Sequence, residues 1–139
     1  MSRRPGRRLE YLPAAVADLK RLQQDDPALA AEAGRILADV AAGRRDGEPL
    51  SSMAATGDLS DCRKIYFGHR NEPTHRIVLQ QRPDGTVEIL LVVAVEARAD
   101  AYVYLLSAER LQRLPQVQQP NLDRIRQERI ARRARHQGR

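Results

Sequence analysis

The sequence CRKIYF at residues 62–67 decides the fold, together with RIVL at 76–79 and VAVEAR at 93–98. Each segment combines β-branched or aromatic residues with charged ones, a composition typical of β-strands. Stretches that contain proline or glycine separate the segments and predict tight turns. The chain is therefore predicted to form three consecutive antiparallel strands, with bounds near 61–68, 74–82 and 86–96.

The first two strands predict a hairpin with two different faces. The turns are expected at 70–73 and at 83–85, where Asp-Gly is a strong hairpin signal. If Tyr66 lies opposite Arg76, side-chain alternation sorts the remaining residues. The predicted core face carries Ile65, Phe67, Ile77 and Leu79, and the predicted polar, cationic face carries Lys64, Tyr66, Arg76 and Gln80. All residues of the run 89–95 are apolar, so the side chains on both faces of this predicted strand are apolar. This favours a central strand covered on both sides but leaves its register open.

The residues before the meander predict a short strand at 8–12 and a pair of helices. Pro13 suits the first turn of one helix, and Asp26 can cap a second helix that begins at Pro27. Gly43 is a suitable end for that second helix. Residues 44–60 are polar and contain glycine, so they are predicted to form a loop.

Helical patterns also follow the meander. A third helix is expected from Asp100 to Leu114, where Pro115 stops it. The segment 122–137 can form a further helix, although only Leu122, Ile125 and Ile130 give it an apolar stripe.

The net charge of +6 is unevenly distributed along the 139 residues. Residues 1–8 and 110–139 are strongly basic, whereas residues 9–109 are mildly acidic. Arginine-rich ends are compatible with binding to a nucleic acid, because neutralising phosphates releases counterions. Solvated, disordered ends would have the same composition.

Several classes of site and location are disfavoured. No run has the roughly 18 to 20 apolar residues of a membrane span, and no signal peptide is apparent at the N-terminus. The single Cys62 cannot form an internal disulfide, which favours the cytoplasm. No metal-binding spacing or glycine-rich phosphate loop is present, so neither a metal nor a cofactor is expected, and no small-molecule ligand is expected. A histidine-based ribonuclease site would have only His69, His75 and His136 to draw on.

The cationic and phenolic side chains of the strands suit metal-free chemistry on a polyanion. Cleavage of RNA by its own 2′-hydroxyl requires groups that neutralise charge on the phosphate and move protons. An arginine fork binds phosphate bidentately, and Lys64 adds a compact charge. Nearby cations would favour the phenolate of Tyr104 or Tyr66, which could then act as a base. Aromatic rings can also stack on unpaired bases. Solvated surface residues and ordinary packing remain the alternatives for each of these side chains.

The order of these elements resembles the RelE branch of the RelE/ParE toxin superfamily of bacterial toxin–antitoxin systems. The resemblance covers roughly 9–114 and depends on Arg63-Lys64-Ile65, Arg76-Ile77-Val78, and Arg98 followed by Val103-Tyr104. It implies an α+β fold with an N-terminal strand, a helical hairpin, an antiparallel meander and a C-terminal helix. The RelE-like domain would span 8–114, with a basic tail at 1–7 and an arginine-rich extension at 115–139.

The resemblance also implies an activity and residues that perform it. RelE-like toxins cut mRNA on the ribosome without a metal, inhibit translation and are silenced by a cognate antitoxin protein. By this resemblance Lys64, Arg76, Arg98 and Tyr104 are the catalytic candidates. Arg63 and Tyr66 are further candidates for RNA binding or stacking.

Three interpretations of function remain open at the level of sequence. The first is a ribosome-dependent mRNA endonuclease, the second a ParE-like inhibitor of DNA gyrase, and the third a non-catalytic module that binds RNA or the ribosome. Glu96 departs from the RelE pattern, in which glycine is usual. It is expected either to act as a base in a rearranged site or to pair with Arg98.

Overall fold

A mixed five-stranded sheet with helices packed on both faces forms the centre of the protein. The structure is a computed structural model, and it describes residues 7–50, 56–68, 73–83 and 88–137. The strand order is β1-β5-β4-β3-β2, with β1 parallel to β5 and the other pairs antiparallel. The strands are β1 (Arg7–Tyr11), β2 (Glu48–Pro49), β3 (Cys62–Phe67), β4 (His75–Pro83) and β5 (Glu88–Ala97). The helices are α1 (Pro13–Asp25), α2 (Pro27–Ala41), α3 (Tyr102–Arg110) and α4 (Gln119–Gln137). The predicted α+β order of strand, helical hairpin, meander and C-terminal helix is confirmed.

The helical hairpin forms as the sequence predicts. Pro13 and Pro27 occupy the first turns of α1 and α2, where a missing amide hydrogen removes no helical bond. The Asp26 carboxylate accepts the amide of Leu29 at 3.2 Å and caps α2. Gly43 follows α2 with a φ of 79°, a left-handed conformation that glycine adopts without strain.

The two faces of the sheet have separate apolar cores. Ile65, Phe67, Ile77 and Leu79 are buried against α1 and α2, so the predicted core face of the first hairpin is confirmed. On the other face, Val103 and Ala108 of α3 cover the sheet. The central strands are therefore apolar on both sides, as expected for strands that helices cover from above and below.

The predicted cationic face is correct at one end of the hairpin only. Tyr66 lies opposite Arg76, as predicted. Farther along the same face, Cys62 and Val78 are buried beneath α3. The prediction of a fully polar face was wrong because it did not account for a helix packing there. The exposed cationic surface is confined to the end of the strands near Tyr66.

A β-bulge in β5 resolves the register that the sequence left open. Val78 pairs with Ala94 and Leu79 pairs with Val92, so Val93 is an extra residue in β5. Val93 and Ala94 both belong to the core beneath α3. Two consecutive apolar residues on one face explain why the run 89–95 shows no clean alternation.

A buried ion pair completes the edge of β5 at this bulge. β1 stops at Tyr11, and beyond it the Asp18 carboxylate accepts the amide hydrogen of Val95 at 3.0 Å. Arg110 donates to the carbonyl of Val93 at 2.9 Å and to both oxygens of Asp18, at 2.6 and 2.9 Å. Two side chains therefore replace the missing neighbouring strand, so that the buried backbone groups stay hydrogen-bonded.

Several predicted segments differ from the structure or lie outside its described residues. The region 44–60 contains β2, which pairs with Arg63 and Lys64 of β3, so the prediction of an irregular loop was incomplete. The predicted third helix is shorter than expected and ends at Arg110. The turn at 70–73 lies outside the described residues except for its last residue, and most of the turn at 83–85 and residues 1–6 lie outside them as well.

The arginine-rich C-terminal segment forms a helix that packs on the rest of the protein. Leu122 and Ile125 of α4 are buried against Leu105 and Leu106 of α3. Burying each of them stabilises the contact by roughly 1.5 to 3 kcal/mol, whereas an exposed ion pair contributes only about 0 to 1 kcal/mol. The apolar contact therefore anchors the helix. The predicted domain end at residue 114 falls between two helices that touch.

Ion pairs then connect α4 to the acidic part of the chain. Arg126 binds Glu109 at 2.7 Å, and Arg133 binds Asp25 at 2.9 Å. Arg129 stacks over the ring of Tyr102 with 4.5 Å from Cζ to the ring centroid. Much of the basic charge at the C-terminal end is therefore bound to the protein's own acidic groups.

We predict that Asp18→Asn lowers the free energy of unfolding by about 3 kcal/mol, because it leaves Arg110 buried without its counter-charge. The matched control is Asp39→Asn, which breaks the exposed Arg44–Asp39 pair at the end of α2. That change should cost less than about 1 kcal/mol. Urea unfolding followed by circular dichroism measures both, and equal losses would contradict the proposed importance of the buried pair.

Candidate functional site

Two cations lie over the ring of Tyr66 at the exposed end of β3 and β4. Arg76 places its guanidinium carbon 4.0 Å from the ring centroid, and Lys64 places its ammonium 5.3 Å away. Both distances fall within the range of cation–π attraction. Because Tyr66 keeps 38% of its surface exposed, a ring with two cations beside it is open to solvent. We call Lys64, Tyr66 and Arg76 the cationic cluster.

Arg76 is held firmly in this cluster. Its Nη1 donates to the carbonyls of Pro73 at 2.9 Å and His75 at 3.0 Å. Only 8% of the residue is exposed, and its Nε is a buried donor with no hydrogen-bond partner in the described part of the chain. A buried donor that makes no bond is costly. The Nε of Arg76 is therefore a buried donor that no described residue satisfies, whereas its two backbone bonds fix the guanidinium beside Tyr66.

Lys64 connects the strands to α3. The ammonium of Lys64 donates a hydrogen bond to the hydroxyl of Tyr66, which raises the pKa of Lys64. The nearby Tyr104 and Glu48 add to the effect, so the ammonium stays charged at neutral pH. Tyr104 lies on α3 and is only partly buried. The structure thus brings together Lys64, Tyr66, Arg76 and Tyr104 from three separate elements.

Arg98 lies just beyond the end of β5. Its amide hydrogen bonds to the carbonyl of Thr74, two residues before Arg76, at 3.0 Å. Its side chain is exposed and makes no hydrogen bond or ion pair with other described residues. Arg98 is therefore anchored by its backbone beside the start of β4, and no described carboxylate binds its exposed guanidinium.

Arg63 lies on the opposite side of the sheet from the cationic cluster. It pairs with Leu79, which faces the core under α1 and α2, and it donates to the side chain of Gln81 at 3.4 Å. Its role in binding RNA stays a prediction, and the structure does not bring it together with the other candidates.

Glu96 does not pair with Arg98, the partner that the sequence suggested. It lies opposite Arg76 in the sheet, but its carboxylate bonds to Arg21 of α1 at 2.9 Å and not to Arg98. Burial and the adjacent carboxylate of Asp18 raise the pKa of Glu96 to about 8, although Arg21 and Arg129 oppose the shift. Glu96 belongs to a cleft between α1 and α4, beside the site and not within it.

The Cys62 thiol and the metal-binding residue types contribute little to the site. Burial, and then the neighbouring Asp61, raise the pKa of the Cys62 thiol to about 12, which leaves it inert at neutral pH. Within the described ranges, no group of three or more histidine, cysteine or acidic side chains could hold a metal ion. None of the helices in those ranges is long and apolar enough to cross a membrane.

The sequence interpretation missed how α1 contributes to this region. Asp18 and Arg21 approach β5 from positions more than seventy residues earlier in the chain. The one signal available was their spacing: two charged residues three apart on the helix share a face with the apolar Leu22. Such a pattern on a helix that packs against a sheet indicates charges that point inward.

Comparison with known proteins gives a clear result for the fold. No protein-family model matches the chain, and no curated protein sequence matches it. Among solved structures, it resembles a mutant of the E. coli toxin RelE in the free state, with a TM-score of 0.50 and 20% identity over 74% of this chain and 95% of that one. The chain has the RelE toxin fold.

A second solved structure also resembles it, the YoeB/ParE toxin from Agrobacterium tumefaciens, with a TM-score of 0.48 and 18% identity. That match covers 65% of this chain and 97% of the toxin. Identities this low leave the roles of individual residues to be judged from their geometry.

We predict that the stability of the protein falls as the pH rises from about 5 to 8. Glu96 has a pKa of about 8 when folded and an ordinary value when unfolded, so the folded state binds more protons across this range. Glu96→Gln should flatten the dependence and stabilise the protein at pH 8.5 by roughly 1 to 3 kcal/mol relative to wild type. Unfolding curves at several pH values measure the effect, and a slope unchanged by the substitution would contradict it.

Proposed function

We propose that the protein is the toxin of a toxin–antitoxin pair and that it cleaves mRNA on the ribosome. The observation that supports this most strongly is the cationic cluster, in which Lys64 and Arg76 flank the exposed ring of Tyr66. The RelE toxin fold is consistent with it. Cleavage would proceed without a metal, by attack of the RNA 2′-hydroxyl on the adjacent phosphate.

The arrangement of the cluster suits the charge changes of this reaction. Negative charge builds on the phosphoryl oxygens in the transition state, where fixed cations stabilise it most. Arg76 supplies a fixed guanidinium charge beside the exposed ring, and Lys64 supplies a second, compact charge. Because Arg76 is already held by two backbone carbonyls, little reorganisation is needed when the phosphate arrives.

The remaining candidates have complementary roles. Tyr66 presents a ring on which an unpaired base can stack. Tyr104, beside Lys64, is the group proposed to move a proton. Arg98, whose charge is exposed, would support the leaving oxygen. A cognate antitoxin protein is the proposed partner that silences the activity, and the ribosome with its mRNA is the proposed target.

We predict that Arg76→Ala lowers mRNA cleavage by roughly a hundredfold, because it removes a fixed cation proposed to stabilise the developing charge. Arg82→Ala is the matched control, since Arg82 lies on the same strand, is exposed and is remote from the cluster. Primer extension on mRNA after induced expression measures the cuts. Growth arrest with intact mRNA and an induced DNA-damage response would contradict the proposal in favour of gyrase inhibition. RNA or ribosome binding without any cuts would favour the non-catalytic alternative.

We predict different outcomes for two changes at Tyr66. Tyr66→Phe keeps the ring that Arg76 and a base can stack on, so cleavage should fall by less than about threefold. Tyr66→Ala removes the platform and should weaken cleavage by roughly tenfold or more. Equal, large losses in the two variants would show that the hydroxyl, and not the ring, is required. The same primer-extension assay compares them.

A further inference from the structure

The cleft between α1 and α4 is a second surface feature, separate from the cationic cluster. Its volume is about 1060 Å³, at or above the upper end for small-molecule pockets. One wall is α1, the other is α4, and the end of β5 forms part of the floor. A space of this size and shape suits a segment of polypeptide better than a compact ligand.

The charges that line the cleft do not balance. Six arginines face four carboxylates among the lining residues. Arg110 is bound to Asp18, and Arg133 to Asp25. Arg132 makes no hydrogen bond or ion pair with any described residue, and Arg129 stacks on Tyr102 and bonds to no carboxylate of the described residues. The α4 wall therefore carries positive charge at Arg129 and Arg132 that no carboxylate of the described residues binds directly.

Apolar side chains are exposed or half-buried in the same cleft. Ile130 of α4 is 56% exposed and faces it. Opposite it, Leu22 of α1 and Leu29 at the start of α2 are only partly buried. Tyr102 and Leu106 form a buried floor between the walls. An occupant that covers these groups must itself have an apolar side.

We propose that this cleft binds an acidic, amphipathic segment of a partner protein. Carboxylates on the segment would pair with Arg129 and Arg132, while its apolar side chains would cover Ile130, Leu22 and Leu29. A nucleic acid fits less well, because its phosphates and sugars would leave Ile130, Leu22 and Leu29 uncovered. The inference does not rest on the proposed nuclease activity, because it concerns binding at a different surface.

Matched variants of α4 test the electrostatic part of the proposal. The probe is a fluorescent helical peptide of about 15 residues, with leucine at helical spacing and glutamate elsewhere, and binding to the full-length protein is measured by anisotropy at about 0.15 M salt. Arg132→Glu should weaken binding by roughly tenfold. Arg135→Glu, the same change three residues later but outside the cleft, should change it by less than about twofold.

A second pair of variants tests the apolar part. Ile130→Ser should weaken peptide binding by at least roughly fivefold, whereas Val117→Ser should leave it unchanged, since Val117 is 81% exposed outside the cleft. Circular dichroism confirms that each variant is folded. If Arg132→Glu unfolds the protein, the serine pair decides the outcome.

Three results would overturn the proposal. One is equal weakening by Arg132→Glu and Arg135→Glu, which would indicate attraction by overall charge alone. Another is equal binding of a control peptide in which lysine replaces every glutamate. The last concerns a fluorescent single-stranded RNA of about ten nucleotides. Arg132→Glu would weaken binding of this RNA but would not weaken binding of the acidic peptide. That result would assign the cleft to a nucleic acid.

Discussion

The buried pair of Asp18 and Arg110 is the interaction on which the rest of the structure depends. β5 is an interior strand between β1 and β4, yet β1 ends at Tyr11 and leaves the C-terminal part of this edge of β5 without a partner strand. The two side chains bond to the backbone of Val93 and Val95 at the β-bulge. They also fix α1 and α3 on opposite faces of the same strand. Both apolar cores, and the cleft beside them, are positioned by this one contact.

One row of residues across the sheet links the two surfaces of the protein. Tyr66, Arg76 and Glu96 lie side by side on β3, β4 and β5. Tyr66 and Arg76 belong to the cationic cluster, whereas Glu96 points into the cleft between α1 and α4. The two surfaces are therefore neighbours in a rigid sheet, although their side chains have opposite character. A partner seated in the cleft would lie within one strand of the cluster.

Local rules in the sequence predicted part of this structure and could not predict the rest. Pro13, Asp26 and the pairing of Tyr66 with Arg76 follow from helix caps and from a connection of fixed length, which depend only on near neighbours. The bulge at Val93 could not be predicted, because an apolar run gives no sign of which residue is extra. Alternation alone places Arg63 on the opposite face of the strand from Lys64. The sequence therefore already indicated that Arg63 and Lys64 would not bind RNA on the same surface. The bond of Glu96 to Arg21 and the packing of α4 arise from residues far apart in the chain, and local patterns do not report such contacts.

The connection between Asp18 and Arg110 also has a consequence for how the protein is made. The two residues are 92 positions apart, and the pair between Arg133 and Asp25 spans 108. During synthesis the helical hairpin and the whole meander leave the ribosome before the residue that completes the edge of β5. Folds dominated by such distant contacts form slowly, because a long loop must close before the contacts stabilise it. Until α3 emerges, β5 has an open edge at its bulge, and the growing chain is most exposed there to pairing with the wrong strand.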